Sequence, residues 1–246
     1  MRYFTELAYN GTHYFGWQRQ PDQVSVQATI EEALSTLLGK EMGIVGCGRT
    51  DTGVHASQYF IHFDVEEALH EKFANRINKY LPKDISFYRF VKVHDEAHAR
   101  YDAHYRRYAY YLDLRKNPFA NETGFYYYFA NQINQKLLQE AASLLLEYDQ
   151  FFPFCKSNND LKNMICQLEK CEWEFQKDRY IFHIAANRFL RGMVRLIVGM
   201  CLNVGLGKVS LEEVKNALDQ QTRLSKSWSV PPQGLFLEEV KYDYLD

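Results

Sequence analysis

The stretch Gly46-Cys47-Gly48-Arg49-Thr50-Asp51-Thr52-Gly53-Val54-His55-Ala56 says most about how this chain folds and what it does. Three glycines in eight residues interrupt any regular element, so the sequence predicts a loop here. A surface turn in which Asp51 bonds its own backbone is the simpler interpretation. That turn accounts poorly for Arg49 and His55 on either side of the acid. The loop is therefore a candidate active site.

The tripeptide Asp51-Thr52-Gly53 also resembles the catalytic sequence of aspartic proteases. Those enzymes use two carboxylates that share one proton, and the chain has no second Asp-Thr-Gly or Asp-Ser-Gly. A protease of this kind would need a dimer to supply the second acid. Arg49 would also favour an ionised Asp51, whereas the protease pair keeps one acid protonated. A dimeric protease stays open as an alternative.

The apolar residues around this loop alternate between strand and helix spacing. Strands are predicted over residues 3–9, 58–65, 85–93, 104–115 and 179–186. Helices are predicted over residues 26–38, 66–81, 132–148, 188–204 and 211–219. Ser25 is a suitable N-cap for the first helix, and Gly39 is suited to end it.

The order of these elements predicts an α+β fold of two α/β halves, each with a mainly antiparallel sheet flanked by helices. The length of 246 residues suits two modest domains, and a cleft between them is the expected place for an active site. We expect an N-terminal α+β domain over residues 1–102, which carries the Asp51 loop. We expect a C-terminal α+β domain over residues 103–246, which carries the Tyr108 strand and a helix with Arg188, Arg191 and Arg195.

The composition is that of a folded protein, and its net charge does not indicate a strongly charged partner. Hydrophobic residues make up 46% and charged residues 24% of the chain, which excludes a disordered protein. No apolar run approaches the ~20 residues that span a bilayer, and the N-terminus does not resemble a signal peptide. We therefore expect a cytoplasmic protein with no membrane contact. The net charge of −2 says little, because local clusters of charge matter more than the total.

The five cysteines form no Cys-x-x-Cys pair, and their number is odd. We interpret them as reduced thiols, as is usual for an intracellular protein. A zinc site of His13, Cys47 and His55 is an alternative that their spacing does not require.

Two further stretches combine arginines with other useful side chains. On a strand, Arg106, Tyr108 and Tyr110 face one way, which gives a platform that can stack a base and hold a phosphate. A sheet face packed on helices, with Arg106 and Arg107 at its rim, is the alternative. On a helix, the i, i+3, i+7 spacing would place three guanidiniums on one face, those of Arg188, Arg191 and Arg195. Such a stripe suits a phosphate backbone or a carboxylate, although a solvated basic face is the usual case.

Together these stretches resemble the tRNA pseudouridine synthase A family over nearly the whole chain. The matching blocks are Tyr9–Thr12, Gly16–Gln20, Val26-Gln27, Gly48–Ala56, Ala99-Arg100, Arg107–Tyr110, Phe189-Leu190, Met193–Arg195, Gly199, Pro232, Gly234-Leu235 and Leu237. The chain departs from the family pattern at Pro153, where a serine is usual, and over the loop Ser157–Asn163.

The resemblance implies an isomerase, an intramolecular transferase that converts uridine to pseudouridine in the anticodon stem-loop of tRNA, usually at positions 38 to 40. Asp51 would be the catalytic nucleophile, and Tyr108 would stack on the target uracil. Arg195 would pair with Asp51 across the cleft, and Arg49 would hold the flipped-out nucleotide or fill its place. The family works as a homodimer without a cofactor, and we expect no metal.

The remaining arginines are candidate phosphate contacts, namely Arg106, Arg107, Arg188 and Arg191. The sequence does not choose between attack of Asp51 on C1′, attack on C6, and assisted formation of a glycal. A catalytically inert RNA-binding module on the same scaffold also stays open.

Overall fold

The computed structural model of the chain describes residues 1–156 and 164–245. The atypical loop Ser157–Asn163 therefore lies outside the described residues. The chain divides into two compact units, Met1–His104 with Phe236–Asp246, and Tyr105–Leu235. Nine strands and five α-helices form in the described ranges, which confirms the predicted α+β class. In chain order they are β1 (Arg2–Tyr9), α1 (Val26–Leu38), β2 (Val45–Gly46), β3 (His55–Asp64), α2 (Phe73–Tyr80), β4 (Ile85–Val93), β5 (Tyr105–Asp113), β6 (Phe125–Tyr126), α3 (Gln135–Leu144), β7 (Leu168–Phe175), β8 (Arg179–Ala186), α4 (Met193–Gly205), α5 (Leu211–Asp219) and β9 (Leu235–Lys241).

The first unit is built on strands in the order β4-β1-β3-β9, with the short β2 paired to β3. β1 is antiparallel to both β3 and β4, whereas β9 runs parallel to the start of β3. Helix α1 forms as its sequence predicts: the Ser25 side chain accepts a hydrogen bond from Ala28 N at 3.2 Å. Gly39 then ends the helix with φ of 70°, a conformation in which glycine has no steric penalty.

The second unit is built on the antiparallel strands β5-β8-β7, with β6 paired in parallel to β5. The register of β5 and β8 runs from Arg106 opposite Ala186 to Asp113 opposite Arg179. Almost every residue of α4 is buried. Because the buried helix cannot shift without disturbing the core, it is a firm support for side chains at its start.

Three predicted helices begin later than their apolar pattern indicated. The helix predicted over residues 132–148 forms as α3, which begins after its N-cap Asn134 and is followed by a 3-10 turn from Leu145. The helix predicted over residues 66–81 forms only as α2, since the preceding residues 66–72 supply few apolar side chains and several charges. The helix predicted over residues 188–204 begins at Met193. Gly192 precedes it with φ of 71°, a left-handed conformation that cannot lie inside a right-handed helix. The prediction of three arginines on one face of this helix is therefore wrong.

All five cysteines are free and buried, as predicted for reduced thiols. None of the helices in residues 1–156 and 164–245 has the length and hydrophobicity that a membrane span requires.

Candidate active site

The Asp51 loop, residues 46–56, runs from the end of β2 to the start of β3. A tight turn forms where Val54 N donates to Asp51 O at 3.1 Å. Gly53 has φ of 74°, which glycine adopts without strain. Asp51 is half-buried and Arg49 is exposed. The predicted loop thus presents its acid at the surface with a guanidinium two residues away.

His55 anchors the end of the loop through contacts with residues outside it. Its ring is buried and stacks on Phe236, with 4.5 Å between ring centroids. Its Nδ1 accepts a hydrogen bond from Gly11 N at 3.0 Å, so this nitrogen carries no proton and offers no lone pair to a metal. Among the residues that the structure describes, no cluster of three His, Cys, Asp or Glu side chains is arranged to hold a metal ion. His13, Cys47 and His55 do not form such a cluster.

A close backbone approach fixes the other side of the loop. Trp17 N donates to Thr50 O at 3.1 Å. Gly16, with φ of 86°, lies so close that a Cβ there would be 2.5 Å from Thr50 O. Only glycine combines this conformation with this clearance. The segment that includes Gly16 and Trp17 therefore packs directly against the loop and helps to shape it.

Tyr108 lies on β5 in the second unit and is half-buried. Its ring meets the ring of Phe189 edge to face, at 5.2 Å between centroids and 89° between planes. This contact fixes the orientation of the phenol, as a stacking residue requires. The neighbouring Arg106 donates from Nη1 to Asn187 O at 2.8 Å, and Arg107 is half-buried. The contacts of Arg106 and Tyr108 are therefore both made with the segment 187–189, which follows β8.

The predicted platform of two exposed phenol rings, those of Tyr108 and Tyr110, is wrong for Tyr110. Its ring is fully buried, and its hydroxyl donates to Pro231 O at 2.8 Å. Burial raises the pKa of Tyr110 well above its ordinary value, with the charge of Arg195 opposing that shift. Tyr110 is a core residue, and Tyr108 is left as the stacking candidate of this strand.

Arg195 lies in the first turn of α4 and is half-buried. Its Nε donates to Val230 O at 2.7 Å, while Val230 N donates to Arg195 O at 3.2 Å. This reciprocal pair holds both the backbone and the guanidinium. Arg188 and Arg191 are exposed and precede the helix, so they do not share a face with Arg195.

The candidates fall into two groups. Asp51 and Arg49 belong to the first unit, and the other candidates belong to the second. Within the second unit, segment 187–189 supports Arg106 and Tyr108, and segment 230–231 supports Tyr110 and Arg195. Sequence reasoning missed the role of Val230. The signal available was Pro231-Pro232, which marks a backbone of restricted φ without amide donors.

A family model described as tRNA pseudouridine synthase matches residues 7–102 and 142–243 of this chain. The chain belongs to the tRNA pseudouridine synthase family. Proteins called tRNA pseudouridine synthase A are similar over nearly the whole length. The one from Bacteroides fragilis is 44% identical, over 98% of this chain and 96% of its own. The one from Azobacteroides pseudotrichonymphae is 42% identical over the same shares.

A more distant member of the tRNA pseudouridine synthase family comes from Caldicellulosiruptor bescii. This tRNA pseudouridine synthase A is 34% identical over 96% of this chain and 97% of its own. The matched ranges of the family model include the Asp51 loop, Arg188, Arg191 and Arg195. Membership of the tRNA pseudouridine synthase family confirms the resemblance and removes the reason for the aspartic protease alternative.

Proposed function

We propose that this protein is an isomerase that converts uridine to pseudouridine in tRNA. The observation that carries the proposal is the family match, together with relatives at 42–44% identity over 98% of the chain. The reaction breaks an N-glycosidic bond, rotates the base, and rejoins it through C5. It consumes neither water nor a redox equivalent. A carboxylate and a pocket that holds one flipped base are its main requirements.

Asp51 is the catalytic carboxylate in this proposal. It lies half-buried in a loop that backbone and side-chain hydrogen bonds hold on both sides. A carboxylate that attacks C1′ or C6, or assists glycal formation, must reach one atom within about 3–3.5 Å in a defined orientation. A loop held in this way supports that requirement better than a mobile turn would.

Tyr108 is the proposed stacking partner of the target uracil. Removing a base from its stack costs a few kcal/mol, and stacking on an aromatic ring returns roughly 1–3 kcal/mol. Phe189 holds the Tyr108 ring in one orientation, which limits the entropy lost on binding.

The arginines are proposed substrate contacts. We propose that Arg49 binds the flipped nucleotide and that Arg195 binds the substrate near the reacting base. Four others would contact phosphates, namely Arg106, Arg107, Arg188 and Arg191. Arg188 and Arg191 are exposed at the surface of the second unit, where phosphates can reach them.

The finer assignments rest on the family resemblance. The target would be the anticodon stem-loop at positions 38 to 40, the protein would be a homodimer, and it would act in the cytoplasm. Light scattering after size exclusion tests the dimer, since the expected mass is twice the 29.1 kDa of one chain. A mass near 29.1 kDa at micromolar concentration would contradict it.

The test of the reaction uses anticodon-arm transcripts with tritium at C5 of uridine, because formation of the new C–C bond releases that tritium. We expect release by the wild type and none by Asp51→Asn, which should still bind the transcript. Asp95→Asn is the matched control, since it makes the same chemical change at an exposed aspartate of the same unit. We expect it to turn over at the wild-type rate.

Other outcomes would redirect the proposal. Turnover by Asp51→Asn at the wild-type rate would remove the catalytic role of Asp51. Binding of a mixed tRNA pool without any release, by folded wild type, would favour the inert RNA-binding module. Transcripts that carry a single labelled uridine at position 38, 39 or 40 then locate the modified position.

A further inference from the structure

Tyr9 lies at the point where β1 ends beneath the Asp51 loop. The pairing of β1 with β3 shifts register between Leu7 and Tyr9, and Tyr9 comes to lie opposite Ala56. Such a bulge redirects the side chain that follows it. The Tyr9 ring is 4% exposed and contacts the rings of Trp17 and Tyr59, at 6.1 and 5.5 Å between centroids.

The hydroxyl of Tyr9 meets the hydroxyl of Thr50, the residue directly before Asp51. Tyr9 Oη and Thr50 Oγ1 are 2.8 Å apart in a buried hydrogen bond in which either can donate. Thr50 is only 9% exposed, and its carbonyl accepts from Trp17 N at 3.1 Å. Both the side chain and the backbone of Thr50 are thus held by the segment 9–17.

The same segment also holds the loop after Asp51. Gly53 N donates to Tyr14 O at 3.3 Å, and Gly11 N donates to His55 Nδ1 at 3.0 Å. Asp51 therefore lies between two anchored stretches, with Thr50 as the adjacent anchor. Of these bonds, the one between Tyr9 and Thr50 is made by two side chains, so it can be removed without a change of backbone.

We propose that Tyr9 is a positioning residue that sets the place of Asp51 through the hydroxyl of Thr50. The inference rests on the proposed catalytic role of Asp51. Displacing a reacting group by about 1 Å can cost on the order of a hundredfold in rate. Loss of the Tyr9 hydroxyl leaves the buried Thr50 hydroxyl without this partner. The cost of that lost hydrogen bond arises at the residue next to Asp51.

Turnover of labelled tRNA by four variants tests the proposal. Tyr9→Phe keeps the ring and removes the hydroxyl, Thr50→Val removes the other partner, and Thr50→Ser keeps a hydroxyl. We expect kcat to fall about tenfold to a hundredfold in Tyr9→Phe and in Thr50→Val. KM should stay within about twofold of the wild type, because binding does not use this bond. The double variant should be no slower than the slower single variant, and Thr50→Ser should stay near the wild-type kcat.

Tyr242→Phe is the matched control. Tyr242 is also 4% exposed, lies in the same unit, and donates its hydroxyl to Ala99 O at 2.6 Å, away from the loop. We expect this variant to lose stability to a similar degree while kcat stays unchanged. An equal fall of kcat in Tyr242→Phe would assign the effect to general destabilisation and overturn the proposal.

Hydrogen exchange of the loop amides gives a readout that needs no turnover. We expect faster exchange over residues 46–56 in Tyr9→Phe and in Thr50→Val, but not in Tyr242→Phe. Unchanged exchange in Tyr9→Phe overturns the positioning role, as does an unchanged kcat or a rise in KM alone. If the wild type turns over none of the tRNAs tested, that result counts against the proposed function instead. The exchange rates then still decide the role of Tyr9.

Discussion

Tyr108 is the residue whose substitution best separates base stacking from structural support. We expect Tyr108→Ala to slow single-turnover isomerisation at least tenfold and to weaken tRNA binding by less, because the lost stacking of about 1–3 kcal/mol serves mainly the flipped state. The rate is measured by tritium release, and the affinity by filter binding at fixed salt.

Two controls define what the loss at Tyr108 means. Tyr108→Phe keeps the ring that meets Phe189 edge to face and should retain most activity. Tyr126→Ala removes an exposed tyrosine from the same unit and should leave the rate unchanged. An unchanged rate in Tyr108→Ala would make Tyr108 a core residue that supports Phe189.

His62 is a buried imidazole on β3 that is held neutral. Its ring stacks on Phe4 and meets His98 edge to face, and its Nδ1 accepts from Ala99 N at 3.0 Å. Burial, aided by the charges of Arg2 and His98, lowers the pKa of His62 to about 4, while Asp64 and Asp102 oppose that shift. Burial also lowers the pKa of His98.

The lowered pKa of His62 predicts a loss of stability in mild acid. Between pH 6.5 and about 4 the unfolded imidazole binds a proton and the folded one does not, so the stability present above pH 6.5 is lost as pH falls. The loss is up to about 1.4 kcal/mol per pH unit. Urea unfolding at pH 7, 6 and 5 should show a flatter profile for His62→Gln than for the wild type. Substitution of the exposed His13 by Gln should leave the profile unchanged, and an equally steep profile in His62→Gln would exclude this cause.

At the scale of elements, α4 depends on close contact with the chain that follows α5. A Cβ at Gly199 would collide with the carbonyl oxygen of Trp228, which is backbone and cannot turn aside. We expect Gly199→Ala to destabilise the protein by about 1–3 kcal/mol, the usual cost of overpacking. Gly43→Ala is the control, because nothing lies within 4 Å of a Cβ there. Urea unfolding compares the two, and equal stability of Gly199→Ala and wild type would refute the collision.

Elements with a complete local signal could be predicted from the sequence. α1 has an N-cap serine, a regular apolar stripe and a terminal glycine, and it forms over the predicted residues 26–38. The strand predicted over residues 85–93 also forms with those bounds, as β4. Four strands were missed, namely β2, β6, β7 and β9. β2 and β6 have two residues each, too few for a period to show, and partners distant in sequence hold β9.

The candidate site likewise has features that could be predicted from the local sequence and features that could not. The Asp51 loop could be predicted because its glycines, its acid and its arginine all lie within eight residues. The burial of Tyr110 and the hydrogen bond of Arg195 to Val230 depend on tertiary contacts that no local pattern records. The left-handed conformation of Gly192 has no signal in the sequence, since a single glycine inside an apolar repeat is tolerated in many helices.

At the scale of the molecule, the charge is nearly balanced, with 29 basic and 31 acidic residues. Several cations are already paired with acids, among them Arg2 with Asp64 and Arg179 with Asp113. Long-range attraction to tRNA therefore cannot come from the net charge of −2 and must come from local cations. The exposed Arg188 and Arg191 are candidates for this role.

Salt dependence measures how many of these cations meet phosphates. Each phosphate contact contributes about 0.7–0.9 to the slope of log K against log salt, because binding releases condensed counterions. We expect a steep slope for the wild type, reduced by about one contact each in Arg188→Gln and Arg191→Gln. Lys40→Gln, which removes a cation paired with Glu66, is the control and should leave the slope unchanged. Filter binding from 50 to 300 mM salt gives the slopes. A slope that neither arginine variant changes would place both side chains away from the RNA and would leave Arg106, Arg107 and Arg49 to account for its attraction.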